Sequence, residues 1–393
     1  MTIMTQLKKF LARPAKKRLI AEFDSIQKRS DFFQAIIANL LENPDEILAK
    51  HAPAEGLDLY RRMESSDPTV ASALATRRAA VLNRPWSILA DGVDPGVTGY
   101  VVNLMADLAD LPQTLEHALG AFVTGFVPLE LFWTVRRGKW FVEKILARDP
   151  ARYRFDRGGN LRLLTRDNSL EGTRVPPLKF IIHRHHPAPD NPYGRSILQP
   201  LYWPVTFSRA GWKWWSVAIE KYGMPIITAA FPDESTPEDR NRFAEFVQSL
   251  QAHSWSVVPQ GFQIELHEAH RPSGDDYLPF LQYADTKKFQ VILGQNLTAE
   301  TADRGSRAQA HVHNLVRQDL TVADAAALAA TINDQLIRPA VAINFNYAGP
   351  RPKFKFTPAP AHDPETLART YDILAKHVKI SERFLRETFQ ITD

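Results

Sequence analysis

The chain has 393 residues, 44% apolar and 23% charged, an ordinary globular composition that excludes wholesale disorder and allows two or three domains. It has no cysteine, which excludes disulfide frameworks, thiolate metal sites and cysteine nucleophiles. Its 48 basic and 44 acidic residues leave a net charge of +4, too mild to announce a nucleic-acid binder.

The charge is uneven along the chain. Lys8, Lys9, Arg13, Lys16, Lys17, Arg18, Lys28 and Arg29 face only Glu22 and Asp24 in residues 1–30, which form a basic amino-terminal arm. No stretch approaches the roughly 18 consecutive apolar residues of a membrane span. No apolar block with a small-residue cleavage site opens the chain, so no signal peptide is expected.

Residues 31–63 read as helical from the spacing of Phe33, Ile36, Ile37, Leu40 and Leu41, with a break at Asn43-Pro44. Residues 68–82 read as a helix with a stripe of Val70, Leu74, Arg77 and Val81. Trp86 to Leu89 is a short strand closed by Asp91-Gly92. Residues 97–120 return to helix. From 126 to 186 the texture is β: runs at 129–135, 140–145, 153–155, 161–164 and 180–183 are separated by Arg137-Gly138, Gly158-Gly159 and Pro176-Pro177.

Residues 193–222 predict a long helix with Leu201, Val205, Trp212, Trp215, Ile219 and Tyr222 in stripes, stopping at Gly223. Its 204–222 stretch would run roughly 28 Å. Residues 224–268 read as a compact β-α-β insert. Thr236-Pro237-Glu238-Asp239 starts its helix with a capping hydroxyl, a proline and an acid. Phe243, Phe246, Val247 and Leu250 give that helix a buried face, and 255–258 and 262–266 supply strands. Residues 276–297 are helical. Two further helices are expected at 306–319 and 322–346, with Thr321 and Asp324 capping the second and Pro339 kinking it. A linker with five prolines covers 349–364, and a helical tail follows to 390.

Motifs for chemistry are scarce. Gly138-Lys139 lacks the upstream glycine of a phosphate-binding loop, and no Gly-x-Ser-x-Gly elbow occurs. His183 and His185 alternate on a strand and could share a metal; His186 follows them. His311 and His313 lie about 200° apart on a helix and cannot chelate together. Asp275, Asp276, Asp285 and Glu300 would have to converge to form a two-metal nuclease. An aromatic cluster, Tyr202, Trp203, Phe207, Trp212, Trp214, Trp215 and Tyr222, needs burial on more than one helix face. A central core helix and an intersubunit contact both satisfy that.

Four blocks in order carry a resemblance. Tyr60-Arg61-Arg62-Met63 to Asp67, with Arg77-Arg78 and Pro85-Trp86-Ser87-Ile88, is the first. Asn191-Pro192-Tyr193-Gly194-Arg195-Ser196 with Glu220-Lys221-Tyr222-Gly223-Met224-Pro225 is the second. Ile292-Leu293-Gly294-Gln295-Asn296-Leu297-Thr298 with Gly305-Ser306-Arg307-Ala308 is the third, and Asp324 to Asn344 is the fourth. Together they resemble the Mu-like bacteriophage portal protein family.

The resemblance implies an α+β portal fold: a helical and β wing, long stem helices flanking a small βαβ clip, and crown-like carboxy-terminal helices. Residues 31–195 would be the wing, 196–223 a stem helix, 224–268 the clip and 269–297 the second stem helix. Residues 298–348 would hold the tunnel loop, the tunnel helix and the return to the wing, and 349–393 the linker and a reduced crown. It further implies a homo-oligomeric ring, usually a dodecamer, at one capsid vertex of the virion, assembled in the host cytoplasm. Double-stranded DNA would pass through it. Terminase large subunit, major capsid and scaffolding proteins and head–tail connector proteins would be partners. No cofactor, catalytic residue, metal or membrane contact is implied.

Arg304, Arg307, Lys287 and Lys288 are the candidate channel residues. Trp203, Trp212, Trp214, Trp215 and Tyr222 are candidates for interface or core. Pro225, Phe243, Phe246 and Trp255 are candidate clip residues. A metal-dependent nuclease and another head–tail structural protein are the competing readings.

Overall fold

The computed structural model describes residues 40–108, 110–223, 226–230, 236–249, 263–267, 277–295, 307–357, 364–376 and 380–381. The first helices are α1 (Glu46–His51), α2 (Asp58–Ser66) and α3 (Pro68–Leu82). Each boundary has a chemical cause. Asp45 accepts from the Ile47 and Leu48 amides, and Asp67 accepts from those of Thr69 and Val70 with Pro68 at the first position. Strand β1 (Trp86–Leu89) and helices α4 (Pro95–Ala106), α5 (Leu111–Ala118) and α6 (Ala121–Thr124) follow. The expected single helix over 97–120 is therefore divided, ending at Ala106 and resuming at Leu111.

The β region is built as read. Strands β2 (Phe126–Arg136), β3 (Lys139–Ala147), β4 (Tyr153–Phe155), β5 (Leu161–Leu163), β6 (Thr173–Arg174) and β7 (Phe180–Arg184) form two antiparallel three-stranded sheets, β3-β2-β7 and β4-β5-β6. The Arg137-Gly138 turn has both residues at positive φ, 50° and 76°, as a tight two-residue hairpin requires. The first eight residues of β2 are buried on both faces, so it reads as a continuous apolar run rather than an alternation.

Helix α7 (Tyr202–Gly223) leaves this body. Strand β8 (Ile226–Ala230), helix α8 (Pro237–Ser249) and strand β9 (Gln263–His267) come next, and α9 (Tyr277–Leu293) returns. The two strands of the insert pair directly and antiparallel. The α8 start is as expected: Thr236 Oγ1 accepts from the Asp239 amide at 3.2 Å and donates to its carboxylate at 2.6 Å.

Helix α10 (Arg307–Ile332) is continuous, which corrects the two helices expected at 306–319 and 322–346. Thr321 is no cap. Its hydroxyl donates back to the Arg317 carbonyl at 2.8 Å within the helix, and Asp324 is engaged elsewhere. A π turn at Asn333–Ile337 leads into α11 (Arg338–Asn344). The reason is Pro339: it cannot donate to the preceding turn, and the widened turn absorbs the defect without breaking the helix. Strand β10 (Lys353–Phe356) lies inside what reads as a proline linker and pairs antiparallel with β1. Helix α12 (Pro364–Ala375) follows.

A second correction concerns the start. Leu40 and Leu41 are extended, not helical: Leu40 bridges Asp156, and the Leu41 amide donates to the Phe155 carbonyl at 2.8 Å. The Asn191–Gly194 turn holds that edge. Asn191 Nδ2 donates to the Gly194 carbonyl, its Oδ1 accepts from the Tyr193 amide, and the Tyr193 hydroxyl donates to the Leu41 carbonyl at 2.6 Å. Gly194, at φ 70°, lies against the Gly125 and His185 backbones, where a Cβ would collide.

Candidate functional site

The long helices meet around two buried charge clusters. Asp67 caps α3 with Oδ1 and takes the Lys288 ammonium of α9 on Oδ2 at 2.7 Å. Lys288 also reaches Asp285 at 2.9 Å, and the Thr69 hydroxyl donates to the same carboxylate at 3.0 Å. One turn of α3 is thereby tied to one turn of α9. Two turns further, Arg77 forks onto Asp324 of α10, with Nε to Oδ2 at 2.8 Å and Nη2 to Oδ1 at 3.1 Å. Its Nη1 donates to the Ile292 carbonyl at 2.6 Å, near the end of α9. Arg77 and Asp324 are 6% and 7% exposed, and the guanidinium lies over the Phe122 ring. Arg77 sits on the predicted apolar stripe because its charge is neutralised inside the chain.

Lys288 is 2% exposed and held by two carboxylates, which corrects the expectation that it faces a channel. Lys287, one residue away, points outward, with its ammonium on Gln290 at 3.1 Å and over the Tyr283 ring. Arg307 opens α10; Arg304 lies outside the described residues.

Helix α7 packs on α9 where Gly211 leaves room for the Phe280 and Leu281 side chains. Leu201, Val205 and Ser208 are buried on that side. Much of the remaining described helix is exposed. Trp203, Phe207, Trp214 and Val217 are exposed, and at about 100° per residue they fall on one face. Trp212 and Ile219, also exposed, fall roughly opposite. The exposures are 46% for Trp203, 59% for Trp212 and 55% for Trp214. Trp203 stacks on Phe207, and Trp212 lies at 5.5 Å from Trp215, which is half-buried. The core-helix alternative for Trp203, Trp212 and Trp214 is thereby corrected. The backbone at Tyr222 continues α7 to its end.

Of the clip candidates, Phe246 is half-buried on α8 and Phe243 lies on the same helix. Pro225 and Trp255 lie outside the described residues, as does the strand expected at 255–258.

The histidines are absorbed by the fold. His183 Nδ1 hydrogen-bonds the Thr331 hydroxyl at 2.9 Å, and His185 Nδ1 the Arg195 carbonyl at 2.7 Å. Burial pushes both rings down to about 4; the neighbouring His185 adds to this for His183, and His186 and Arg77 add to it for His185. Among the described residues no group of three or more His, Asp or Glu could hold a metal ion. No described helix is long and apolar enough to cross a membrane.

Sequence reasoning missed three amide side chains that bind strand edges. Asn333 accepts from the Phe354 amide at 2.7 Å and donates to its carbonyl at 2.9 Å. Gln335 does the same to Ile182, at 2.7 and 2.9 Å, and Asn344 to Trp140, at 2.7 and 2.9 Å. The outer edges of β10, β7 and β3 are thus closed by side chains of the α10–α11 segment. No local pattern marks such residues, because their partners are distant in sequence.

A family model described as the portal protein of Mu bacteriophage matches residues 57–391. The portal protein of Escherichia phage Mu is 25% identical over 388 residues, covering 94% of this chain and 76% of that one. The Mu-like prophage FluMu protein gp29 of Haemophilus influenzae is 25% identical over 340 residues, 84% of this chain and 65% of its own length. Among solved structures, a chain from the neck of an empty gene transfer agent particle matches with a TM-score of 0.60 at 13% identity, over 89% of this chain and 99% of that one. A chain from the neck of the native particle, computed with C12 symmetry, matches with a TM-score of 0.59 at 13% identity, over 91% and 97%.

Proposed function

The chain belongs to the portal protein family of Mu bacteriophage, and from that premise we propose that it closes into a ring, a dodecamer in the particle, through which double-stranded DNA passes. Portal proteins of this family are structural proteins, not enzymes, and the fold is that of neck components of virus-like particles. The observation that carries the ring reading is helix α7, with exposed aromatic and aliphatic stripes on opposite faces. A subunit in a cyclic ring meets two neighbours through two different surfaces. A helix with two apolar faces fits between them, and Trp anchors suit such contacts.

In this reading residues 31–195 form the wing, α7 and α9 the stem, 224–268 the clip and residues 364 onward the crown. The clip would dock the terminase large subunit during packaging and head–tail connector proteins afterwards. The wing would meet major capsid and scaffolding proteins. Lys287, Arg304 and Arg307 are the side chains proposed to face DNA, through loose phosphate contacts that let it slide. Light scattering after size exclusion, with negative-stain images of the same peak, tests the assembly. Rings of about ten to fourteen subunits are expected. A protein that stays monomeric both alone and with capsid and scaffold would overturn it.

A further inference from the structure

We propose that the outer edge of β1 is a docking site for an extended acidic peptide segment of another protein, which adds a third strand to the β1–β10 ribbon. The first observation is an asymmetry. Asn333, Gln335 and Asn344 close the outer edges of β10, β7 and β3, and the residue 40–41 segment closes that of β4. Among the described residues the outer edge of β1 has no such closure. Phe354 directs its amide and carbonyl to Asn333, away from β1. Its register partner Ile88 therefore directs its own amide and carbonyl outward, as does Trp86 two residues earlier. Neither has a backbone or side-chain partner there among the described residues. An open strand edge beside others that are closed is a template for strand addition.

The second observation is charge. Arg84 precedes β1, and Lys353 and Lys355 lie on β10 opposite Leu89 and Ser87. Arg351 leads into β10. None of the four makes an ion pair among the described residues. Arg84 is half-buried, and desolvation lowers its guanidinium below the usual arginine range. Ser87 is small, so the Lys355 stem can reach across it toward a strand beside β1. Asp91 and Asp94 lie beyond the end of β1 and pair with none of these cations. The third observation is apolar. Trp86, stacked on Phe354, is 39% exposed beside the free backbone groups, on the face opposite Lys353 and Lys355. Alternating carboxylates and apolar side chains on an extended backbone match this pattern. Phosphates do not, because half of the edge is carbonyl oxygen.

The test uses the full chain and a fluorescent peptide of about eight residues with alternating Glu and Val, set against the same peptide with Lys for Glu. Binding of the Glu peptide, with little binding of the Lys peptide, is expected by anisotropy. The double variant Lys353→Glu/Lys355→Glu should weaken it by about tenfold or more. Ile88→Pro should abolish it, since proline removes the outward amide while β1–β10 pairing keeps its own bonds. Circular dichroism and thermal melting verify that both variants are folded. No binding of the Glu peptide, equal binding of both peptides, or binding untouched by Ile88→Pro would overturn the proposal. Displacement by duplex DNA would assign the edge to nucleic acid instead. A change of oligomeric mass in Ile88→Pro would assign it to a second copy. Neither result bears on the ring formed through α7.

Discussion

The helices that meet around Arg77 and the helix that leaves that body solve opposite problems. Around Arg77 and Lys288, charges are buried and each is answered within the chain. Along α7, large apolar side chains are exposed, with nothing among the described residues to cover them. The first region is complete in one subunit; in the proposed ring the second is completed by neighbouring subunits. Stability and assembly are therefore written in different residues, and mutations separate them.

The largest effect should come from the complete region. Lys288→Met leaves the buried Asp67 carboxylate without its cation and should cost about 3–5 kcal/mol in chemical denaturation. The neighbouring Lys287→Met should change stability by no more than about 0.5 kcal/mol, because its ammonium is at the surface. Equal effects would erase the distinction between the two lysines.

Of comparable size is acid sensitivity. His183 and His185 bind a proton near pH 4 in the fold and near 6.5 when unfolded. Between those values the unfolded chain holds more protons, so stability rises with pH through the window and is fully present above about 6.5. As pH falls from 6.5 to 4 each ring should withdraw about 3 kcal/mol. The carboxylate of Asp156 is held below its ordinary value by the Asn160 and Gly158 amides, the Asn160 side chain and Arg162, against burial, so it titrates below this window. Urea titrations at pH 7 and 5 measure the loss, and a His185→Asn variant should flatten it.

Smaller still in stability, but large in assembly, is the bare helix. Trp214→Ser with Val217→Ser on one face, or Trp212→Ser with Ile219→Ser on the other, should leave the melting temperature within a few degrees. Either pair should reduce ring formation measured by light scattering. Rings formed by both double variants would remove α7 from the interface. At the bottom of the scale, the exposed Arg136–Asp107 pair should contribute no more than about 0.5 kcal/mol when Arg136 becomes Gln.

Local periodicity made most of this legible. The stripe Val70, Leu74, Arg77 and Val81 placed α3, and the turn glycines placed the hairpins, because both signals are carried by adjacent residues. What escaped depends on distant partners. Arg77 on an apolar stripe is explained only by Asp324, which lies 247 residues away. Thr321 and Asp324 imitate a helix start, yet the helix runs through them because Asp324 is held by Arg77. Lys353–Phe356 reads as linker between prolines and becomes a strand because β1 and Asn333 supply both of its sides. Helix α7 was legible as aromatic on several faces, but whether those faces lie inside or outside one subunit is a property of packing, not of spacing.

The π turn at Asn333–Ile337 sets an angular phase. It is the spacer that lets Asn333 and Gln335 reach strands of two different sheets while Asn344, a few residues later, still meets Trp140. Removing one residue from it would restore a regular helix and turn everything after it by about 100°. All of α11 would then present the wrong side to β3. In this segment the number of residues matters as much as their identity, so a single deletion should do more harm than several substitutions.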